Sequence, residues 1–500
     1  MNTPVRKVVI VGGGTAGWMS AALLVKMLGH RLDITLVESD DIGTVGVGEA
    51  TIPPIQVFNK ALGIDEDAFL KATGGTIKLG IEFENWGAEG DRYMHAFGPI
   101  GRQVGMSAFH HVWLQARGEG DTSDLWDYSF NHHAAKADRF TRLPQIPSTP
   151  LEGLVYAFHF DAGLYARFLR AGAEGAGVKR VEGIITHANV DGASGNITSV
   201  SLKSGESVEG DLFIDCSGFR ALLIGETLGI GYEDWTHWLP CDRAVAVPAE
   251  NGARMRPYTQ SIAHKAGWQW RIPLQHRAGN GHVFCSDYIS DDEATGVLMA
   301  NLEGKALADP RVIKFKTGRR NSFWEKNCVA IGLSSGFMEP LESTSIHLIQ
   351  TGIVRLVQMF PTMGEEPSLR AEYNRQLAFE YERIRDFIIL HYHANTRTDS
   401  DFWRACANMN VPESLKARIQ LFEESALIFR DGNELFAEVA WLQVMWGQGI
   451  RPRAHSPLAS NLTGDRLKGY LRDLRTIMES HASKLPAHTD FIRTHCAAGQ

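Results

Sequence analysis

The chain has 500 residues, 44% of them apolar and 22% charged, with a formal charge of -8 at neutral pH. That length can build a large core and predicts two to four domains, and the composition is ordinary for a water-soluble globular protein. The acidic balance, without a basic tail or a long block of one sign, argues against a phosphate backbone as the main partner.

Six cysteines, Cys216, Cys241, Cys285, Cys328, Cys406 and Cys496, are scattered with no CxxC spacing. No metal site is therefore expected. MNTPVRKVVI runs directly into a strand pattern without a secretory signal, so a cytoplasmic location with reduced thiols is expected.

The first element group, RKVVIVGGGTAGWMSAALLVKML, reads as strand, glycine turn and helix. The apolar run 8–28 is broken by Gly12, Gly13 and Gly14 and carries Lys26, which argues against a membrane span. Gly12-x-Gly14-x-x-Gly17 is a dinucleotide fingerprint. Gly12 permits the turn, Gly14 the approach of a pyrophosphate, and Gly17 close packing of helix on strand. The helix start at Thr15 and Ala16 offers free N–H groups to an anion. The next strand, LDITLVE, ends in Glu38, placed to hold ribose hydroxyls. FAD and NAD satisfy this pattern equally.

SDDIGTVGVGEATIPP then reads as a loop near the cofactor, followed by a helix over about 55–72. TIKLGIEFENW alternates as one strand, with Ile77, Leu79, Ile81 and Phe83 on one face and Lys78 on the other. On pattern alone, a lysine so placed is solvated. RYMHAFGPIG supplies His95 and Phe97. A helix over 161–173 precedes strands at about 178–183, 197–202 and 211–216, and a mixed sheet covers about 243–290. Within it, GWQWRIPL places Trp268, Trp270 and Ile272 on one face and Gln269 and Arg271 on the other, with Pro273 ending the pairing. NCVAIGLSSGFMEP leads into LESTSIHLIQTGIVRLVQMF, and helical periodicity dominates from about residue 366. The expected architecture is α/β: a discontinuous nucleotide-binding core with an inserted substrate-side sheet over 1–365. A helical region over 366–500 completes one compact unit.

Three stretches together resemble the flavin-dependent halogenases related to tryptophan halogenase. They are GGGTAGW at 12–18 with GVGEATIP at 46–53, GGTIKLGIEF at 74–83, and the pairing of WQWRIP at 268–273 with EPLESTSI at 339–346. The resemblance implies a Rossmann-like, flavin monooxygenase-type FAD core. It also implies FAD rather than NAD, delivered as FADH2 by a separate NAD(P)H-dependent flavin reductase. No second dinucleotide motif is present for NAD(P)H itself. Chloride or bromide would be oxidised to hypohalous acid, which crosses the protein to a separate aromatic substrate. A homodimer is the family's expectation.

Residue by residue, Lys78 matches the lysine that directs hypohalous acid onto the ring, either as a haloamine or by hydrogen bonding. Glu342 matches the active-site glutamate that stabilises and deprotonates the cationic ring intermediate. Read without the resemblance, Glu342 is an acid near a helix start. Thr344 and Ser345 match the halide-holding amides, with relatives often carrying glycine at the position of Ser345. Ala50, Leu333 and Ile346 fall where family members touch the flavin, and His95 and Phe97 where they sandwich an indole. Trp268 and Trp270 would separate flavin from substrate. The C-terminal FAEVAWLQVMWGQGIRPR, with Trp441 or Trp446 as ring faces, lacks the usual recognition set for free tryptophan. Indole or a larger indole compound is therefore at least as compatible. The rival activity is FAD-dependent aromatic hydroxylation, against which Gly332-Leu333 replaces the expected GD signature; a non-catalytic flavin-binding scaffold is the rival from another class.

Overall fold

The computed structural model describes residues 4–43, 48–362 and 366–499. Gly46 and Val47 of the GVGE block lie outside the described residues. So does the end of the 1–365 segment.

The nucleotide-binding layer is a six-stranded sheet in the order Trp324–Glu325, Cys328–Ala330, Leu212–Asp215, Lys7–Val11, Asp33–Glu38, Lys179–Glu182. All its pairings are parallel except that of Trp324–Glu325 with Cys328–Ala330. Lys7–Val11 is apolar and buried beyond its first residue, as a central parallel strand must be. Gly12 follows at φ +110, and a Cβ there would lie 2.3 Å from the Cys216 carbonyl oxygen. The turn therefore requires glycine. A Cβ on Gly17 would lie 1.9 Å from the Gly12 oxygen, so helix Thr15–Leu28 can pack this closely only without one.

The second layer is a seven-stranded sheet, ordered Arg311–Lys314, Arg243–Ala249, Ala278–Phe284, Gly267–Pro273, Thr259–His264, Gly80–Glu84, Arg92–Ala96. Only the Thr259–His264 and Gly80–Glu84 pair runs parallel. A small third sheet joins Gly48–Ala50, Ala157–Asp161 and Thr76–Lys78. The single strand expected over TIKLGIEFENW is therefore two. The chain leaves the small sheet after Lys78 and enters the large one at Gly80, and Leu79 bonds to Pro257 and Phe97 instead. Both faces of this stretch are covered, so the two-fold alternation does not sort buried from exposed residues, and Lys78 is fully buried.

The helix expected over 55–72 is also two, Pro54–Leu62 and Glu66–Thr73. Gly63 ends the first in a left-handed conformation, and the Asp65 carboxylate caps the second through Ala68 N–H. The strands at 178–183, 197–202 and 211–216 appear as Lys179–Glu182, Ile197–Leu202 and Leu212–Asp215, and the helix over 161–173 as Ala162–Gly175. Helices Pro367–His393, Glu413–Ser425, Glu438–Gly447 and Gly464–Ala482 cover the C-terminal stretch. One hydrophobic cluster runs from Val5 to Cys496 and includes residues of both sheets and of these helices. Among the described residues, no helix is long and apolar enough to cross a membrane.

Candidate active site

A cavity of about 870 Å³ opens at the carboxyl end of Lys7–Val11. Gly12, Gly13, Gly14, Thr15 and Ala16 form one wall, with Glu38 beside them and Ala50, Leu333 and Ile346 farther along. Gly17 shapes the turn from behind, without lining the cavity. A Cβ on Gly14 would meet nothing within 4 Å, so its backbone is open to a ligand. No side chain caps the helix that begins at Thr15, which leaves its first N–H groups for an anion. Glu38 is held by Arg180 Nε at 2.6 Å, which fixes the carboxylate at the cavity edge. Glycine cradle, uncapped helix start, acid and volume together fit a dinucleotide such as FAD.

Trp268 and Trp270 line the same cavity from the seven-stranded sheet. Their rings are tilted, with centroids 6.2 Å apart, and Trp268 Nε1 donates to Glu339 Oε1 at 3.3 Å. At the far end of the cavity, Ser343 occupies a left-handed conformation at φ 58, between the turn Pro340–Glu342 and the helix Ser345–Gln358. Lys78 Nζ donates to Ser343 Oγ at 2.7 Å. Lys78 is thus one hydrogen bond from this cavity while its own side chain is closed off from water. Burial drops its amine to about 7, an effect partly offset by the Glu342 carboxylate.

Glu342 is fully buried as well. Burial alone would push its carboxyl up, but His95 and His391 reverse this and hold it at about 2. His95 Nδ1 lies 2.9 Å from one carboxylate oxygen and His391 Nε2 lies 2.9 Å from the other. At neutral pH the pocket therefore contains an ionised carboxylate beside an amine near its midpoint. Phe97 sits by the amine, its ring centroid 5.4 Å from Lys78 Nζ. Around His95 gather Phe97, Phe387 and Phe436, and Trp441 packs edge-on against Phe387. Trp446 instead meets Trp113 edge-on and lies under Arg451.

The arrangement joins Lys78, Glu342, His95 and Phe97, as the sequence led us to expect, but His95 also grips Glu342, a role the sequence did not suggest. Of the two halide candidates, Ser345 lines the large cavity. Thr344 is buried off its wall, with Oγ1 unpartnered, and no side chain caps the helix it introduces. Sequence reasoning missed Ser343, His391 and Glu339. Ser343 and Glu339 stand inside the EPLESTSI block. His391 had only the signal of a histidine in the apolar run FIILHYH. Among the described residues, no group of three or more His, Cys, Asp or Glu side chains is placed to hold a metal ion.

The tryptophan halogenase family model matches residues 7–463. The chain belongs to the tryptophan halogenase family. Tryptophan 7-halogenase RebH from Lentzea aerocolonigenes is 35% identical, with 99% of each chain covered. Among solved structures, Xcc4156, a flavin-dependent halogenase from Xanthomonas campestris, is 52% identical with a TM-score of 0.96, covering 99% of both chains. BrvH, a flavin-dependent halogenase from Brevundimonas sp. BAL3, is 46% identical with a TM-score of 0.95, covering 98% of this chain and 99% of its own. This member of the tryptophan halogenase family is accordingly a flavin-dependent halogenase with a mixed α/β core and a helical C-terminal region.

Proposed function

We propose that the enzyme takes FADH2 from a separate flavin reductase, uses oxygen and chloride or bromide, and halogenates an electron-rich, indole-type ring at Lys78. The observation that carries this reading is Ser343: it lines the flavin cavity and accepts the hydrogen bond of a fully buried lysine. Bound at the Gly12–Ala16 cradle, FADH2 would supply the two-electron chemistry that turns halide into hypohalous acid. The uncapped start of Ser345–Gln358 would hold the halide through the Ser345 and Thr344 amides.

The remaining steps belong to this chain's side chains. Trp268 and Trp270 fill the sheet side of the cavity and keep an aromatic substrate from the flavin. The neutral amine of Lys78 attacks the halogen of hypohalous acid, the halogen–oxygen bond breaks, and the nitrogen gives a proton to the departing oxygen, which leaves as water. As the ring carbon attacks, the nitrogen–halogen bond breaks, a carbon–halogen bond forms, and the nitrogen takes back a proton to become the amine again. The ring proton then passes to the Glu342 carboxylate. An arenium proton is acidic enough for a carboxylate held at about 2 to take it. Until then the same carboxylate offsets the ring's positive charge in a buried site. His95 and His391 keep Glu342 ionised and fixed in orientation.

The aromatic lining of Phe97, Phe387, Phe436 and Trp441 suits a flat, electron-rich ring, and indole or a larger indole compound is the substrate we favour. The test is a panel of indole, phenol, pyrrole and tryptophan, given reductase, FAD, NADH and either halide and read by mass spectrometry. Halogenated indole that appears only with reductase present is the expected result. Hydroxylated product without halogen would overturn the reading in favour of an aromatic monooxygenase. No turnover across the panel would favour a flavin-binding scaffold.

A further inference from the structure

The strand Gly267–Pro273 has a second face that the halogenation site does not use. Trp268, Trp270 and Ile272 line the flavin cavity, whereas Arg271 points into a separate cavity of about 410 Å³ across the sheet. This cavity is polar and has five cationic residues on its wall against three carboxylates. Most of these charges are paired. Arg92 Nη2 donates to Glu84 at 2.8 Å, Lys136 to Glu82, and Arg254 Nε to Asp138, beyond the wall, at 2.7 Å.

The remaining two guanidinium groups share one carboxylate. Arg271 Nη1 reaches Glu303 Oε1 at 2.9 Å and Arg256 Nη1 reaches Glu303 Oε2 at 2.8 Å. Arg271 is further fixed by Gln260 Oε1 at 3.0 Å and the Asn301 carbonyl at 2.7 Å, yet its buried Nε has no partner. The Tyr258 ring is buried against this wall, with Lys136 Nζ 5.7 Å from its centroid. Within the described residues, no hydrogen bond engages its hydroxyl. One positive charge thus lacks a counter-charge, in a concave site with pre-fixed donors. Guanidinium forks held in place in this way match oxyanions.

We infer that this back-face cavity binds a small oxyanion, a carboxylate or a phosphate group, between Arg271, Arg256 and Tyr258. The site is distinct from the flavin cavity, because its wall and the flavin wall are opposite faces of one strand.

The test is calorimetric titration of the FAD-saturated enzyme with inorganic phosphate and, separately, with acetate, at fixed ionic strength. Saturating FAD and a fixed excess of chloride first occupy the two other anion sites, at Gly12–Gly17 and at Thr344 and Ser345. A saturable one-to-one heat with either probe is expected, and the better probe tells a tetrahedral group from a planar one. Arg271→Gln should weaken it about tenfold, the loss of one charge-assisted contact. Arg271 sits deep in the sheet, so Arg256→Gln, at the more exposed of the two guanidinium groups, and Tyr258→Phe provide further variants; each should weaken binding several-fold. No saturable heat with either probe, or equal affinity in all three variants, would overturn the inference.

Discussion

Two buried glutamates at the ends of one short turn, Glu339 and Glu342, behave in opposite ways. Both are fully buried, but Glu342 is held at about 2 and Glu339 is pushed up to about 7. Desolvation acts on both in the same direction, so neighbours decide the difference. Glu342 has an imidazole beside each oxygen. Burial governs Glu339, whose bonds from Tyr392 and from the neutral Trp268 indole only partly oppose it. The first stays charged at neutral pH. The second holds the Trp268 indole in the wall of the large cavity. Two carboxylates three residues apart can thus serve different ends, one electrostatic and one architectural.

This contrast can be broken in order of effect. Lys78→Met should lower halogenated product about a thousandfold or more, since it removes the group that receives the oxidant, while oxidation of bound reduced flavin continues. Mass spectrometry and flavin absorbance, read on one sample, would check it. Glu342→Gln should follow, with a loss of about a hundredfold in the halogenation step, the usual size of a lost general base or electrostatic partner. Trp268→Ala should destabilise the protein by about 3–5 kcal/mol and raise reduced flavin spent per product, without moving the halogen to another ring position. A denaturant melt and product regiochemistry test the two halves. Glu339→Gln should matter least: a group already about half protonated near neutrality is replaced by its neutral isostere, so the halogenation rate should stay within about threefold of the parent. Equal losses in the two glutamine variants would erase the contrast between the glutamates.

The parts of this enzyme that could be read from its sequence are those encoded within a few residues. The glycine turn, its strand and helix, and Glu38 follow from local spacing, and the WQWRIP alternation puts Trp268, Trp270 and Ile272 on one face, where they line the large cavity. The active site instead depends on pairs distant in the chain. Lys78 and Ser343 are 265 positions apart, and His95 and Glu342 are 247 apart. No periodicity can signal such pairs, which is why Ser343 and His391 escape a reading of the sequence. Lys78 shows the same limit from the other side. Alternation assigns it to water because the pattern assumes a sheet with one wet face, whereas Ala157–Asp161 pairs with its strand and both faces are covered. The left-handed Gly63 and the Asp65 cap were legible turn signals inside a helical pattern that otherwise runs continuously.

The central claim is that a buried, near-neutral lysine amine carries the halogen to the ring. Its most direct test is the single-turnover bromination rate of indole across neutral pH, divided by the rate of reduced flavin oxidation in the same sample. Because the Lys78 amine is lowered to about 7, deprotonation through that pH should switch the step on, so the ratio should rise with a midpoint near 7. In Glu342→Gln the midpoint should move to lower pH, since the carboxylate that raises the amine is gone. A ratio that is flat or falls as pH rises through 7 would contradict the account.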